Sequence, residues 1–269
     1  LQVPAFSRDW GLRGDGLGAS PHGSQETPHA FGRSPVIGFQ QAAAAIYLAA
    51  GIGALLGIVL PSARMSRGAV WGLALGALLQ GVGFATLHLS SPAPALTDIS
   101  VVLSLVVWMT VVALLFFLWR MRVASFVAVV GIVAFLVLFF FSIQPPPPAS
   151  EPALVEAGAW PHAHILLASA GLALLGVAGL AGLFFLLEHR RLKTKRSLGP
   201  LASLPSLEAL DRINVISLVV GFPLLSLGLV TGFVWVQTAR GVLFTASSHE
   251  TWTLVAWAIY AGLVAARLF

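Results

Sequence analysis

The sequence contains no cysteine in its 269 residues. That absence excludes disulfides, thiolate metal sites and thioether attachment of a haem through a C-x-x-C-H motif. Charge is nearly as scarce: Asp, Glu, Lys and Arg make up 9% of the chain, against 58% hydrophobic residues and a mean hydropathy of +0.91. A chain this apolar lies outside the composition of soluble globular domains. There is no glycine-rich phosphate loop, no Ser/His/Asp pattern and no metalloprotease helix motif. The pair of membrane-embedded carboxylates that a proton-coupled carrier often uses is also missing. The first 35 residues have neither an initiator Met nor a hydrophobic signal core. Rich in Gly, Pro and Ser, they are expected to form a disordered tail in which His22 and His29 have no structural part.

What remains is a series of uncharged runs, at 36–60, 68–89, 99–119, 123–143, 165–187 and 213–236, with a seventh from near His249 to the last residue, interrupted only by Arg267. Crossing a hydrocarbon core of ~30 Å takes about 20 residues of helix. These runs are too long and unbroken for barrel strands, which alternate over about ten residues. In lipid, only helices satisfy the backbone groups of such runs. The expected fold is an all-α polytopic membrane bundle over 36–269, with about seven transmembrane helices at roughly 36–60, 68–89, 99–119, 123–143, 161–188, 212–236 and 249–269.

The net charge of +5 is distributed by loop. Arg64 and Arg67 lie between the first two runs, Arg120 and Arg122 between the third and fourth, and Arg190, Arg191, Lys193, Lys195 and Arg196 after the fifth. The intervening loops hold Asp98, then Glu151 and Glu156, then Arg240 against Glu250. The positive-inside rule puts the basic loops in the cytoplasm, the N-terminus outside and the C-terminus inside. Cations beside a helix end are topogenic or lipid-binding, so nucleic acid is not an expected partner whereas membrane lipid is. The external segment 144–160 is a stiff polyproline spacer. In the cytoplasmic link 197–212, Pro205-Ser206 followed by Glu208 reads as the start of a short helix leading into the sixth span.

Four histidines fall at outer helix ends: His88, His162, His164 and His249. His189 ends the fifth span on the inner side as an interfacial cation. Imidazole suits haem iron as well as zinc or copper, and two imidazoles from facing helices hold a haem without cysteine. Trp160, Trp235, Phe244, Trp252 and Trp257 supply aromatic walls near the same surface. An ordinary interfacial tryptophan belt explains the same residues without a cofactor. His162 and His164, two positions apart, point to nearly opposite sides, so only one of them faces a given site.

Three stretches carry a family resemblance. Trp160 with His164 four residues on, leading into an apolar helix that ends in "FLLEHRRLK", is similar to a W-x-x-x-H-V helix with a basic end. "LEALDRINVISLVVGFPLLSLGLVTGFVW" and "ETWTLVAWAIYAGLVAAR" are similar to the two helices that flank a tryptophan-rich loop. Segments 160–193 and 207–267 thus resemble the haem-handling cytochrome c assembly proteins, the CcsA/ResC, CcmC and HemX group. In that family the loop reads W-G-x-x-W-x-W-D-P-K-E-T-W and presents haem. Laid on this chain, its tryptophans fall on Arg240, Phe244 and Ala246, its Asp on Ser247, its Pro on Ser248 and its Lys on His249. Gly241, Glu250, Thr251 and Trp252 are retained. An arginine at the bilayer centre costs about 2.5–3.5 kcal/mol, so the stretch containing Arg240 is expected to be a wet external loop. The family's intramembrane His aligns with Ala265, and its four-His arrangement is expected to be incomplete here.

The resemblance implies a non-enzymatic, haem-binding delivery factor for cytochrome c maturation in the bacterial inner membrane, at most a subunit of a haem-attachment system. Its expected cofactor is non-covalent haem b, with His164 as axial ligand and His88 or His249 opposite. Trp160, Trp235, Phe244 and Trp252 would pack on the porphyrin and Arg240 would pair with a propionate. The expected partner is apocytochrome c or another assembly protein. The alternative is a HemX-like regulator of tetrapyrrole synthesis acting through the basic segment 189–200 with little haem binding, and a cofactor-free transport or structural subunit is a third reading.

Overall fold

The computed structural model describes residues 35–60, 62–89, 99–120, 125–143, 159–194, 205–242 and 248–268. The expected tail therefore lies outside the described residues except for Pro35, which opens α1, and the polyproline spacer except for Ala159 and Trp160, which open α5 as helix; most of the link before residue 205 also lies outside them. The described residues form seven helices: α1 (Pro35–Val59), α2 (Ala63–Leu89), α3 (Ile99–Arg120), α4 (Ser125–Ser142), α5 (Ala159–Lys193), α6 (Leu207–Arg240) and α7 (Ser248–Leu268). Their all-helical character follows from runs of apolar side chains that offer the backbone no partner but itself. Five of them, α1, α2, α3, α5 and α6, are long and apolar enough to cross a membrane, and α4 is a shorter apolar helix.

The sixth helix differs from its expected form. Among the described residues, no separate short helix precedes it. Ser206 caps the N-terminus of α6 itself, its hydroxyl accepting from the Ala209 N–H at 3.3 Å, and Glu208 sits in the first turn, where the helix dipole favours an anion. At the other end α6 continues through Gln237 to Arg240. It stops at Gly241, which takes the left-handed conformation (φ 71°) and returns its N–H to the Gln237 carbonyl. With 34 and 35 residues, α6 and α5 are each about 50 Å long at 1.5 Å per residue, well beyond a ~30 Å core.

These two long helices form the tightest antiparallel pair. Their contact positions, His164, Ala168, Gly171, Leu175, Ala178 and Gly182 on α5 against Asn214, Leu218, Gly221, Leu225, Gly228 and Gly232 on α6, alternate in steps of four and three. That is the 3.5-residue repeat of left-handed packing. Small residues set the separation. A Cβ added to Gly171 would lie 2.6 Å from the Leu225 backbone nitrogen, and one added to Gly228 would lie 2.7 Å from that of Ala168. Apolar membrane helices associate through this kind of close backbone approach, because lipid gives no hydrophobic drive between them. Asn214 adds a 2.8 Å hydrogen bond to the Ala178 carbonyl.

A second group is built from α1, α2 and α4, again around glycine: Gly51 of α1 meets Gly131 and Ile132 of α4 at distances that leave no room for a Cβ. Within this group Tyr47, fully buried, donates to the Gln80 side-chain oxygen at 2.8 Å. The Gln80 amide donates to both the carbonyl and the hydroxyl oxygen of Ser104 at 3.0 Å. Trp108 of α3 donates to the Ala77 carbonyl at 2.8 Å. α3 also packs on α5, and Phe126 of α4 lies 4.9 Å from Phe184 of α5, so the two groups share one apolar core. α7 rests on α6. Trp257 donates to the Ser226 hydroxyl at 2.9 Å and lies against Phe222, while Arg267 pairs with Asp211 at the far end.

Candidate haem-ligand site

His164 occupies the second turn of α5, at the end opposite the basic last turn of Arg190, Arg191 and Lys193. Its imidazole is half-buried against α6, and Gly232 is what lets it fit. A Cβ at Gly232 would lie 2.7 Å from Nδ1 and 2.8 Å from Cε1. The ring nitrogen Nδ1 is 2.7 Å from the Gly228 carbonyl oxygen. A carbonyl only accepts, so Nδ1 carries the proton and donates. In the neutral ring Nε2 then holds the free lone pair. Orientation of an imidazole by a carbonyl on its other nitrogen is the arrangement that metal-binding histidines use to fix tautomer and basicity. Thr231 also donates to the Gly228 oxygen at 2.9 Å, which further anchors that acceptor.

Trp235 lies one turn beyond Gly232 on the same face of α6, its ring 6.2 Å from the His164 ring and inclined at 37°. Trp160, one turn before His164, is 48% exposed, and Trp252, in the first turn of α7, is 71% exposed. Of the expected site residues the structure thus brings His164 and Trp235 together and leaves Trp160 and Trp252 with open faces. His88 falls at the end of α2, Arg240 at the end of α6 and His249 at the start of α7, but their side chains lie outside the described residues, as does Phe244 altogether. Trp257, the other aromatic expected near this surface, donates its indole N–H to Ser226 and lies with its ring against Phe222, which ties α7 to α6. Among the described residues, no three His, Cys, Asp or Glu side chains come together.

Two features were not expected. The Gly228 carbonyl lies 64 positions from the histidine it orients. Gly232 belongs to the Thr-Gly-x-x-Trp motif, yet its service as the seat of an imidazole depends on the register between two helices.

The family described as "Cytochrome C assembly protein" matches residues 96–268, which takes in α3 to α7. The chain is 34% identical over 96 residues to "Cytochrome c biogenesis protein CcsA" of Synechocystis sp., covering 36% of this chain and 28% of that protein. It is 37% identical over 62 residues to the protein of that name from Guillardia theta (23% and 21% of the two chains) and 38% over 61 residues to that of Thermosynechococcus vestitus (23% and 19%). The matched stretch thus spans between a fifth and somewhat more than a quarter of these relatives' lengths.

Proposed function

Because the chain belongs to the cytochrome c assembly protein family, we propose that it is a membrane haem-binding factor of cytochrome c maturation in which His164 is an axial ligand. The observation that carries this reading is the 2.7 Å contact between His164 Nδ1 and the Gly228 carbonyl, which leaves Nε2 as the unprotonated nitrogen. The residues present suit haem iron, a centre that takes neutral imidazole and needs no thiolate. When bound, haem supplies the porphyrin to which the thiols of a recipient apocytochrome become attached. This chain, having no cysteine, contributes none of those thiols.

What the chain's own residues do follows from their placement. Gly232 and Gly228 seat the imidazole against α6, and Gly228 with Thr231 holds its proton on Nδ1. Trp235 limits the ring's rotation from one side. Trp160 and Trp252 offer apolar faces to a planar ligand at the same end of the bundle, and Arg240 supplies a guanidinium for a propionate. His88 or His249 would supply a second imidazole to the haem. The basic end of α5 supports the positive-inside reading, which sets the His164 end outside and the basic end in the cytoplasm of a bacterial inner membrane, with α4 and α7 also spanning. In this role the protein is an assembly factor, not an enzyme in the usual sense.

The test is an absorption spectrum of the detergent-purified full chain, as isolated and after dithionite, beside the His164→Ala variant, with helix content checked by circular dichroism. The wild type is expected to show a Soret band that sharpens on reduction, and the folded variant to lack it. A folded His164→Ala protein that keeps the same haem content would overturn the assignment.

A further inference from the structure

Along its length α7 stands away from α5, and with α6 as floor the three helices enclose a groove of about 490 Å³. Its walls are small or apolar: Ala178, Gly179 and Gly182 on one side, Ile259 and Leu263 on the other, with Leu218 beneath. Asn214 belongs to the floor, but its amide nitrogen is already committed to the Ala178 carbonyl. The groove begins near Ala256 and ends at Arg267. Those eleven steps of α7 cover about 16 Å at 1.5 Å per residue. That is close to half of a ~30 Å hydrocarbon core, the depth of a single leaflet.

The two ends differ in chemistry. Toward Leu175 and Ala256 the lining is apolar apart from Tyr260, which packs on the cluster of Leu175, Ala178 and Leu218. At the other end lies Arg267, whose pairing with Asp211 uses one terminal nitrogen of a guanidinium that carries five N–H donors; the exposed Arg212 follows Asp211 on α6. Two turns beyond Gly182 come Arg190, Arg191 and Lys193. Against these five cations stand Glu188, Glu208 and Asp211, a surplus of two positive charges among the described residues of this end.

We propose that the α5–α6–α7 groove is a binding site for one anionic phospholipid, its acyl chain lying between Gly179 and Leu263 and its phosphate meeting Arg267. A groove one leaflet deep fits an acyl chain, whereas a second transmembrane helix would need a seam running the full thickness of the membrane. Basic residues closing an apolar slot between helices are the recognised chemistry for acidic headgroups, and on the positive-inside reading this leaflet is the anionic one.

Gly179 gives a clean probe. A Cβ built there meets nothing within 4 Å, so Gly179→Leu starts its side chain in open space at the groove wall. The experiment is native mass spectrometry of the full chain released from nanodiscs containing equal phosphatidylglycerol and phosphatidylcholine. The wild type is expected to retain one phosphatidylglycerol and Gly179→Leu to retain none. Arg267→Gln should lower the preference for phosphatidylglycerol about fivefold, the factor that roughly one basic residue contributes at an anionic surface. A wild type that retains neither lipid, a Gly179→Leu variant that retains phosphatidylglycerol as well as the wild type, or a wild-type dimer that Gly179→Leu abolishes would each overturn the proposal, the last by making the groove an interface between two copies.

Discussion

Replacing Gly228 by alanine tests the central helix pair and the histidine seat together. The new Cβ would meet the Ala168 backbone nitrogen at 2.7 Å, its Cα at 2.9 Å and its Cβ at 3.0 Å. Two of these three atoms are backbone, so no rotamer change relieves the clash and α5 and α6 must move apart. Overpacking of this kind costs about 1–3 kcal/mol, and the rigid opposing atoms put it at the upper end. Alanine returns about 1 kcal/mol of helix propensity over glycine. The net is a loss of about 2 kcal/mol, or about 4–8 °C in melting temperature at 2–4 °C per kcal/mol. The control is Gly176→Ala on the facing helix, where a Cβ meets nothing within 4 Å and the propensity gain stands alone. It should melt about 2–4 °C higher than the wild type. Differential scanning fluorimetry in one detergent reads both variants. Because the Gly228 carbonyl also orients His164, haem retention should fall in Gly228→Ala and hold in Gly176→Ala. A Gly228→Ala protein that melts at or above the wild type would refute the packing argument.

Three further outcomes are expected. Gln80→Leu strands the Tyr47 hydroxyl in a fully buried position and should cost about 1–3 kcal/mol; adding Tyr47→Phe should recover part of it, and a strictly additive double mutant would contradict the hydrogen-bond reading. Trp257→Phe keeps the ring against Phe222 but loses the donor to Ser226. Hydrogen exchange of α7 amides should accelerate by the equivalent of about 0.6–1.7 kcal/mol, with α1 to α5 unaffected. Asp211→Asn breaks an ion pair whose side chains are 40% and 45% exposed, so less than about 1 kcal/mol should be lost, and a much larger fall in the melting curve would contradict its reading as an exposed pair.

The helices were legible because an uncharged run in lipid has one solution to its backbone hydrogen bonds. The length of α6 was less so. "LEALDR" carries three charges and reads as a short helix leading into the span, and "VQTAR" carries one and reads as loop, yet both belong to α6, which runs unbroken from its Ser206 cap to Arg240. Pairings between distant positions were not readable at all. The small residues at 221, 228 and 232 are visible in the sequence, but nothing local says that they face Ala168 and His164, or that Tyr47 finds Gln80 thirty-three positions away. The likeness to the assembly family singled out His164, while its tautomer needed the fold. For Trp257 the sequence offers a wall of the site or an interfacial belt, and what only the fold shows is that its indole nitrogen ties α7 to α6.

The central claim is that the Nε2 lone pair of His164 binds haem iron. Its most direct test is the absorption spectrum of haem-loaded His164→Gly protein recorded with and without added imidazole. The account predicts a Soret band that is lost in the variant and restored by imidazole entering the space left between α5 and Gly232. A variant whose Soret band matches the wild type before any imidazole is added would contradict it.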